Sequence, residues 1–380
     1  MMRPMKLAGS QLMFGRGCLE FIKSVACTRA MIVIGGSSVE KSGALAKVED
    51  YFHEAGAKTT VLRDVEPDPH FSTVMRGAKA MLEWKPNLIC ALGGGSVMDA
   101  AKTMWVIYEH PELDTLDKVL STKPLPPLRA KARFMCIPST AGTASEVSRS
   151  VVISDDETGH KHGLGDMEMM PDIALVDPDV SCTMPPRVTA ETGMDALTHA
   201  VEALASNRAN YVADILGEAA ALDIIKWLPR AYAHGADMQA REMMANASMV
   251  AGLSFTNVSL GIVHSMAQTI GGFFPVAHGR LCAILMPLVI DWNSQDERAR
   301  GVYARLATKA GADDLAQLVR DLNKQVGIPS LAEVIPDEAA YFANLDEMAR
   351  LSLADGCTKT NPIIPTVEQF AELLTQAYRS

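Results

Sequence analysis

No Cys-x-x-Cys pair occurs in this 380-residue chain, and its seven cysteines (Cys18, Cys27, Cys90, Cys136, Cys182, Cys282 and Cys357) are scattered and odd in number. That spacing argues against both a disulfide framework and a structural zinc site, and it predicts a reducing, cytoplasmic setting. Long apolar runs are missing too. The most apolar stretches, around Leu281–Ile290 and Leu88–Leu92, have the length of a strand or a core helix and fall short of a membrane span. The first residues, MMRPMKLAGSQLMFG, are too polar to predict a signal peptide. Positive charge is in deficit, with 35 Lys and Arg against 45 Asp and Glu, so a nucleic-acid partner is not expected. Internal repeats and low-complexity tracts are absent as well, which argues against a solenoid or a disordered chain.

A hydrophobic share of 48% and a charged share of 21% are enough for ordinary globular cores, and the length predicts two domains. Short β-rich runs at Met31–Ile34, Thr59–Leu62, Asn87–Leu92, Phe134–Ile137 and Ile173–Val176 alternate with helix-period segments such as Val39–Ala55 and Phe71–Trp84. Alternation of this kind predicts a Rossmann-like α/β domain with a mainly parallel sheet over residues 1–185. Beyond Met184-Pro185-Pro186 the strand signal stops. Runs rich in Ala, Leu, Met and Glu, as in Val188–Ser206 and Val212–Leu228, predict an all-helical domain over residues 186–380. The cleft between the two is the default place to expect a site.

Two turns in the first half have the composition of a nucleotide cradle. Leu88–Lys102 reads as a buried strand, three glycines (Gly93, Gly94, Gly95) and a helix start. Glycines let backbone N–H groups approach a pyrophosphate closely, and a helix N-terminus offers unpaired donors. Ser96 and Asp99 also have the spacing of a capping box, so plain capping is an alternative. A second polar turn, Pro138–Glu146, carries Ser139, Thr140 and Thr143 at the next strand end, where it is either a ribose or phosphate contact or an ordinary loop.

The helical half holds a set of metal-ligating side chains. Asp195 and His199 lie one turn apart in Thr192–Glu202, with Glu202 close by on the same face. Taken alone they could form a solvated ion pair. His264 stands in an otherwise small and apolar segment, and His278 in Phe273–Gly279. A buried histidine needs a partner, and a lone one is commonly a satisfied core residue. One carboxylate and three imidazoles would together suit Fe2+, Zn2+ or Mn2+.

The segments GGGSVMDAAK, PSTAGTASEV, PDIALVDP, GMDALTHAVEA and GIVHSMAQTIGGFFPVAHG, with the late Asp355–Pro362 stretch, resemble the iron-containing (group III) alcohol dehydrogenases. Cys90–Pro111 also resembles the alcohol dehydrogenase half of bifunctional aldehyde/alcohol dehydrogenases. The resemblance implies reversible hydride transfer between NAD or NADP and a small primary alcohol or aldehyde, with Fe2+ favoured and Zn2+ as the other candidate. It implies that Asp195, His199, His264 and His278 are the metal ligands. Gly94, Gly95, Ser96 and Asp99 would hold the pyrophosphate, Ser139, Thr140, Thr143 and Ser148 the adenosine and ribose side, and Lys161 the nicotinamide ribose. Without the resemblance, Lys161 reads as a surface lysine in a hairpin. A homo-oligomer, a dimer or larger, is expected, with no membrane partner.

Two positions depart from the family pattern. Gln268 stands where many members have a second histidine proposed to relay a proton, and glutamine does not titrate near neutral pH. Gly36, followed by Ser37 and Ser38, stands where NAD-preferring relatives can place an aspartate. NADP is therefore permitted, although no arginine is evident in the sequence to select it. Phe255, Phe273 and Phe274 are candidates for a small apolar pocket or for core packing. Two other functions share parts of this pattern: a dehydroquinate synthase-like lyase, which would bring more basic residues to the metal, and a non-catalytic nucleotide-binding protein.

Overall fold

The computed structural model describes residues 5–380. The chain divides into two compact units, one ending at Met184 and the other beginning at Pro185. The first unit contains eight strands: β1 (Gln11–Phe14), β2 (Arg29–Val33), β3 (Lys58–Leu62), β4 (Leu88–Gly93), β5 (Arg133–Pro138), β6 (Ser150–Ser154), β7 (Lys161–Gly165) and β8 (Ile173–Val176). Its helices are α1 (Ser38–Lys41), α2 (Ala44–Glu54), α3 (Phe71–Trp84), α4 (Gly95–Glu109), α5 (Leu116–Ser121) and α6 (Pro178–Ser181). Six strands form one parallel sheet in the order β1-β8-β5-β4-β2-β3, and β6 and β7 form a separate antiparallel hairpin.

Strand β4 is central and buried at every position, which explains its unbroken apolar run. Side chains alternate across a strand, so Leu88, Cys90 and Leu92 pack with Phe52 and Val48 on one face. Ile89 and Ala91 pack with Met104 and Trp105 on the other. The chain leaves β2 to form β3 on one side, then returns to place β4 on the other side of β2. The strand order therefore reverses between β2 and β4, and the carboxyl ends of two such strands are where parallel α/β sheets receive ligands. Both of these ends carry glycine turns, Gly35-Gly36 and Gly93-Gly94-Gly95.

Two local differences from the sequence pattern have clear causes. The helix expected over Val39–Ala55 is broken into α1 and α2, because Gly43 adopts a left-handed conformation with φ 80. The edge strand β1 and the β6–β7 hairpin are short elements that periodicity did not reveal.

The second unit consists of helices: α7 (Pro186–Ala205), α8 (Tyr211–Ala233), α9 (Met238–Val258), α10 (Ile262–Phe273), α11 (His278–Asn293), α12 (Glu297–Lys309), α13 (Leu315–Gln325), α14 (Leu331–Val334), α15 (Glu338–Ala343), α16 (Leu345–Ala354) and α17 (Val367–Arg379). Helix α7 starts with Pro186 in its first turn, where a missing N–H costs nothing, and from Thr189 onward it is buried nearly all round. A helix buried on every side is a core helix. Asp195, His199 and Glu202 therefore lie inside the unit, and the solvated ion pair expected as the plain alternative does not occur. Among the described residues, no single helix is long and apolar enough to cross a membrane.

Candidate metal centre and coenzyme cradle

Three helices bring the candidate ligands together. Helix α7 supplies Asp195 and His199, α10 supplies His264 in its first turn, and α11 begins with His278. Asp195 Oδ1 lies 3.9 Å from His199 Nε2, 3.7 Å from His264 Nε2 and 3.8 Å from His278 Nε2. These separations are too long for hydrogen bonds and only slightly longer than the roughly 3–3.5 Å between donors sharing one ion at about 2.1 Å. Asp195 Oδ1 and His264 Nε2 are buried, and neither has a hydrogen-bond partner among the described residues. Orphaned buried donors and acceptors are costly, and one divalent ion at the point of convergence would satisfy both. The donor set fits the metal.

Close packing makes the convergence possible. A Cβ on Gly279 would stand 2.2 Å from the Glu191 carbonyl oxygen and 3.2 Å from Asp195 Cβ, so only glycine lets α11 start hard against α7. Arg280 is tied to the Glu191 carboxylate beside it. Phe255 stacks on the His199 ring at 4.4 Å, and His199 stacks on His264 at 4.6 Å. Phe274 stacks on Tyr341 instead, as a packing residue.

Glu202 orients His264. Its Oε2 accepts from His264 Nδ1 at 2.5 Å, and its Oε1 accepts from the Val263 backbone N–H at 2.7 Å. A carboxylate on the far nitrogen fixes the ring and directs Nε2 at Asp195. The same carboxylate sits at the N-terminus of α10, where negative charge is favoured. A Cβ on Gly261 would come within 2.8 Å of Glu202 Oε1, so this turn too requires glycine. Asn361 clamps the turn from a distance. Its Oδ1 accepts from Ile262 N at 3.3 Å, and its Nδ2 donates to Asn293 Oδ1 at 2.7 Å. Thr360 Oγ1 donates to the Leu260 carbonyl, and Asp355 Oδ1 accepts from Ser265 Oγ at 3.1 Å.

The charges follow from this packing. Burial by itself would raise the Asp195 pKa, but the surrounding histidines outweigh it and hold the carboxyl well below the usual carboxylate range. Burial works against charge on His264, whereas Glu202 and then Asp195 lift its pKa to about 9. Cys282, which the sequence reading passed over, belongs to the same cluster, with Sγ 3.5 Å from His278 Nε2. It stands four residues after His278, the same spacing that singled out Asp195 and His199. Asp195, His264, His278 and Cys282 offer donor atoms that all lie within 4.8 Å of one another, a group that does not include His199. Burial, and then the nearby Asp195 and Glu202 carboxylates, push the Cys282 thiol well above its ordinary pKa. Gln268, one turn after His264 on α10, has a buried Oε1 with no partner among the described residues.

The first unit holds the glycine cradle. Helix α4 begins at Gly95 with no side-chain cap, so its first N–H groups face outward from the turn. A Cβ on Gly95 would stand 2.6 Å from Thr143 Cγ2, and one on Gly94 would stand 3.4 Å from Thr140 Cγ2. These glycines, Thr140 and Thr143 therefore pack into one tight wall at the start of α4. The Ser139 N–H continues the wall by donating to Gly93 O at 2.9 Å. The capping box suggested by Ser96 and Asp99 does not form. Ser96 Oγ accepts from Asp68 N at 3.3 Å, while Asp99 Oδ1 accepts from Ser145 Oγ at 2.7 Å and Oδ2 from Val152 N at 2.9 Å. With both oxygens engaged, Asp99 braces the cradle against β6. Buried Lys102 completes the brace by donating to Ser145 Oγ at 2.9 Å and to Ser148 O at 2.8 Å. Lys161 lies on the β6–β7 hairpin and pairs with Asp68 Oδ2 at 2.9 Å. Gly36 and Ser37 are exposed, and a Cβ on Gly36 would meet nothing within 4 Å.

The sequence matches the iron-containing alcohol dehydrogenase family over residues 9–178 and the C-terminal region of the Fe-containing alcohol dehydrogenase family over residues 189–378. The chain belongs to this family. It is 42% identical over 359 residues to an NADPH-dependent butanol dehydrogenase of Clostridium saccharobutylicum, an alignment that covers 92% of this chain and 91% of the relative. It is 34% identical to the bifunctional aldehyde-alcohol dehydrogenase AdhE of Escherichia coli, with 96% of this chain aligned to 45% of that protein. An iron-containing alcohol dehydrogenase from Thermococcus thioreducens has the same fold, with a TM-score of 0.92 at 32% identity and 100% coverage of both chains. Family membership makes the protein an oxidoreductase acting on CH–OH groups.

Proposed function

We propose that the protein is an NADPH-using reductase of small aldehydes, working reversibly on the corresponding primary alcohols, with a divalent ion held by Asp195, His199, His264 and His278. The observation that carries this reading is the approach of three imidazole nitrogens to one buried, unpartnered oxygen, Asp195 Oδ1. An ion held there supplies Lewis acidity toward a substrate oxygen, and the nicotinamide coenzyme supplies the hydride. Asp195 and Glu202 together offset the charge of such an ion, and Glu202 keeps His264 directed at it. Phe255 presents an apolar ring beside His199, which suits a short aliphatic chain. The buried, unpartnered Oε1 of Gln268, one turn after His264, would accept a hydrogen bond from a bound hydroxyl. It does not titrate near neutral pH, so the reading assigns it a positioning part. Gly94, Gly95, Thr140 and Thr143 would receive the pyrophosphate, and Asp99 would support them from behind.

Iron is the proposed resident metal, in line with the family, and the oxygen-and-imidazole set also accommodates zinc. A cytoplasmic homodimer is the proposed setting. All seven cysteines are free thiols, and Phe14, Tyr211 and Ile215 are exposed apolar side chains of the kind a second copy would cover. A phosphate-handling lyase is disfavoured because Arg280, the one basic residue flanking His264 and His278, is held by Glu191.

The test is turnover of short aldehydes with NADPH or NADH after loading with iron or zinc. Stoichiometric oxidation of NADPH that depends on the added metal is expected. No oxidation with any aldehyde or metal would sink the reading. The coenzyme preference has its own check. Gly36→Asp adds a carboxylate at an exposed position with room for it. The ratio of kcat/KM for NADPH to that for NADH should fall by about tenfold or more through repulsion of the 2′-phosphate. An unchanged ratio would place Gly36 away from the adenosine ribose.

A further inference from the structure

Preference for NADPH, on which this inference rests, requires a cation for the 2′-phosphate, and the parallel register supplies one that sequence spacing hides. Strand β3 lies beside β2 with Val33 opposite Leu62. The pairing runs past the strand ends: Ile34 N donates to Leu62 O at 2.9 Å, and Val65 N donates to Ile34 O at 3.3 Å. Residues 63–65 therefore run alongside the turn that holds Gly36 and Ser37. A Cβ on Gly35 would stand 2.9 Å from Val65 O, so the two segments are in contact.

Arg63 leaves the carboxyl end of β3 and reaches over to α1, where its Nε donates to Glu40 Oε1 at 3.0 Å. Its side chain is half exposed, and its two terminal nitrogens have no protein partner among the described residues. The loop that carries it is pinned. Arg76 of α3 donates to Arg63 O at 3.1 Å and to Asp64 O at 2.8 Å, which engages Arg76's own guanidinium. Asp64 holds a left-handed φ of 62 at this corner. The result is a fixed backbone that presents one guanidinium edge beside an exposed glycine-serine turn.

We infer that Arg63 selects NADPH by binding its 2′-phosphate, and that Glu40 is the placeholder anion that the phosphate displaces. A planar guanidinium matches phosphate oxygens through paired N–H groups, a geometry that lysine does not reproduce. With NADH there is no phosphate to compete, and Arg63 stays on Glu40. Glu40 therefore weakens NADPH binding twice, by competing for Arg63 and by repelling the phosphate.

Calorimetric binding of 2′,5′-ADP and of 5′-AMP to the full-length protein tests this without turnover. Arg63→Gln should weaken 2′,5′-ADP by about tenfold or more, the loss expected for a charge-assisted contact, and leave 5′-AMP within about twofold. Arg63→Lys should fall between the parent and Arg63→Gln, and Glu40→Gln should tighten 2′,5′-ADP by about threefold. Unchanged 2′,5′-ADP binding in Arg63→Gln, or equal losses for both nucleotides, would overturn the inference and leave the dehydrogenase reading intact. A parent protein that binds neither nucleotide nor NADPH would overturn both.

Discussion

His264→Ala should strip the protein of its metal and lower aldehyde turnover by about three orders of magnitude or more, since several kcal/mol of charge stabilisation at the reacting oxygen go with the ion. The isolation of this imidazole is the reason. Its Nε2 is buried without a partner while its Nδ1 is held by Glu202, so the ring is already oriented for a ligand that protein groups do not supply. Alanine also leaves Glu202 as a buried carboxylate that keeps only the Val263 N–H, at a cost of about 3–5 kcal/mol when a buried charge loses its mate. His278→Ala separates the two effects, because the His278 side chain is 30% exposed whereas His264 is buried against the Glu202 carboxylate. That variant should lose metal and turnover while keeping a thermal midpoint close to the parent measured without metal. Metal content at the parent's level in either variant would remove that histidine from the site.

Glu202→Gln is the next most damaging change. It preserves volume and removes the charge that accepts from His264 Nδ1 and Val263 N together. One end of the amide must then present an NH2 group to a donor, so either the ring or the α10 N-terminus loses its acceptor. Replacement of a carboxylate that orients a ligand histidine usually costs about 10–100-fold in metal affinity, and the same is expected here. The measurement is the rate of metal loss to a chelator, followed alongside helix content by circular dichroism. Faster loss with an unchanged spectrum supports an orienting part for Glu202. A parent-like rate would reduce Glu202 to a cap for α10.

The β-rich runs were legible because central parallel strands are buried on both faces and leave an unbroken apolar signature, as Leu88–Leu92 does in β4. The pair Asp195 and His199 stood out through one-turn spacing, a local property that a linear reading detects. Where His264 and His278 stand relative to that pair was not readable from spacing. It depends on how α10 and α11 dock on α7, and that docking depends on Gly261 and Gly279, where side chains are missing. Asp99 shows the opposite failure. A helix-start spacing suggested capping, and the family resemblance a pyrophosphate contact, yet its carboxylate turns to Ser145 and Val152 on segments far along the chain. Arg63 escaped notice for the same reason, since only the β2–β3 pairing brings residues 63–65 alongside the end of β2.

The clamp at Asn361 also bears on when in the protein's life the turn before His264 can close. A ribosome making this chain completes Asp195, His199, His264 and His278 well before it reaches Asn361, whose amide fastens the Ile262 turn and pairs with Asn293. In that interval Glu202 can already hold Val263 and His264, but the Asn361 bond to Ile262 is missing. Closure of the turn that directs His264 is therefore completed only when the C-terminal segment has been made and has folded back on α10.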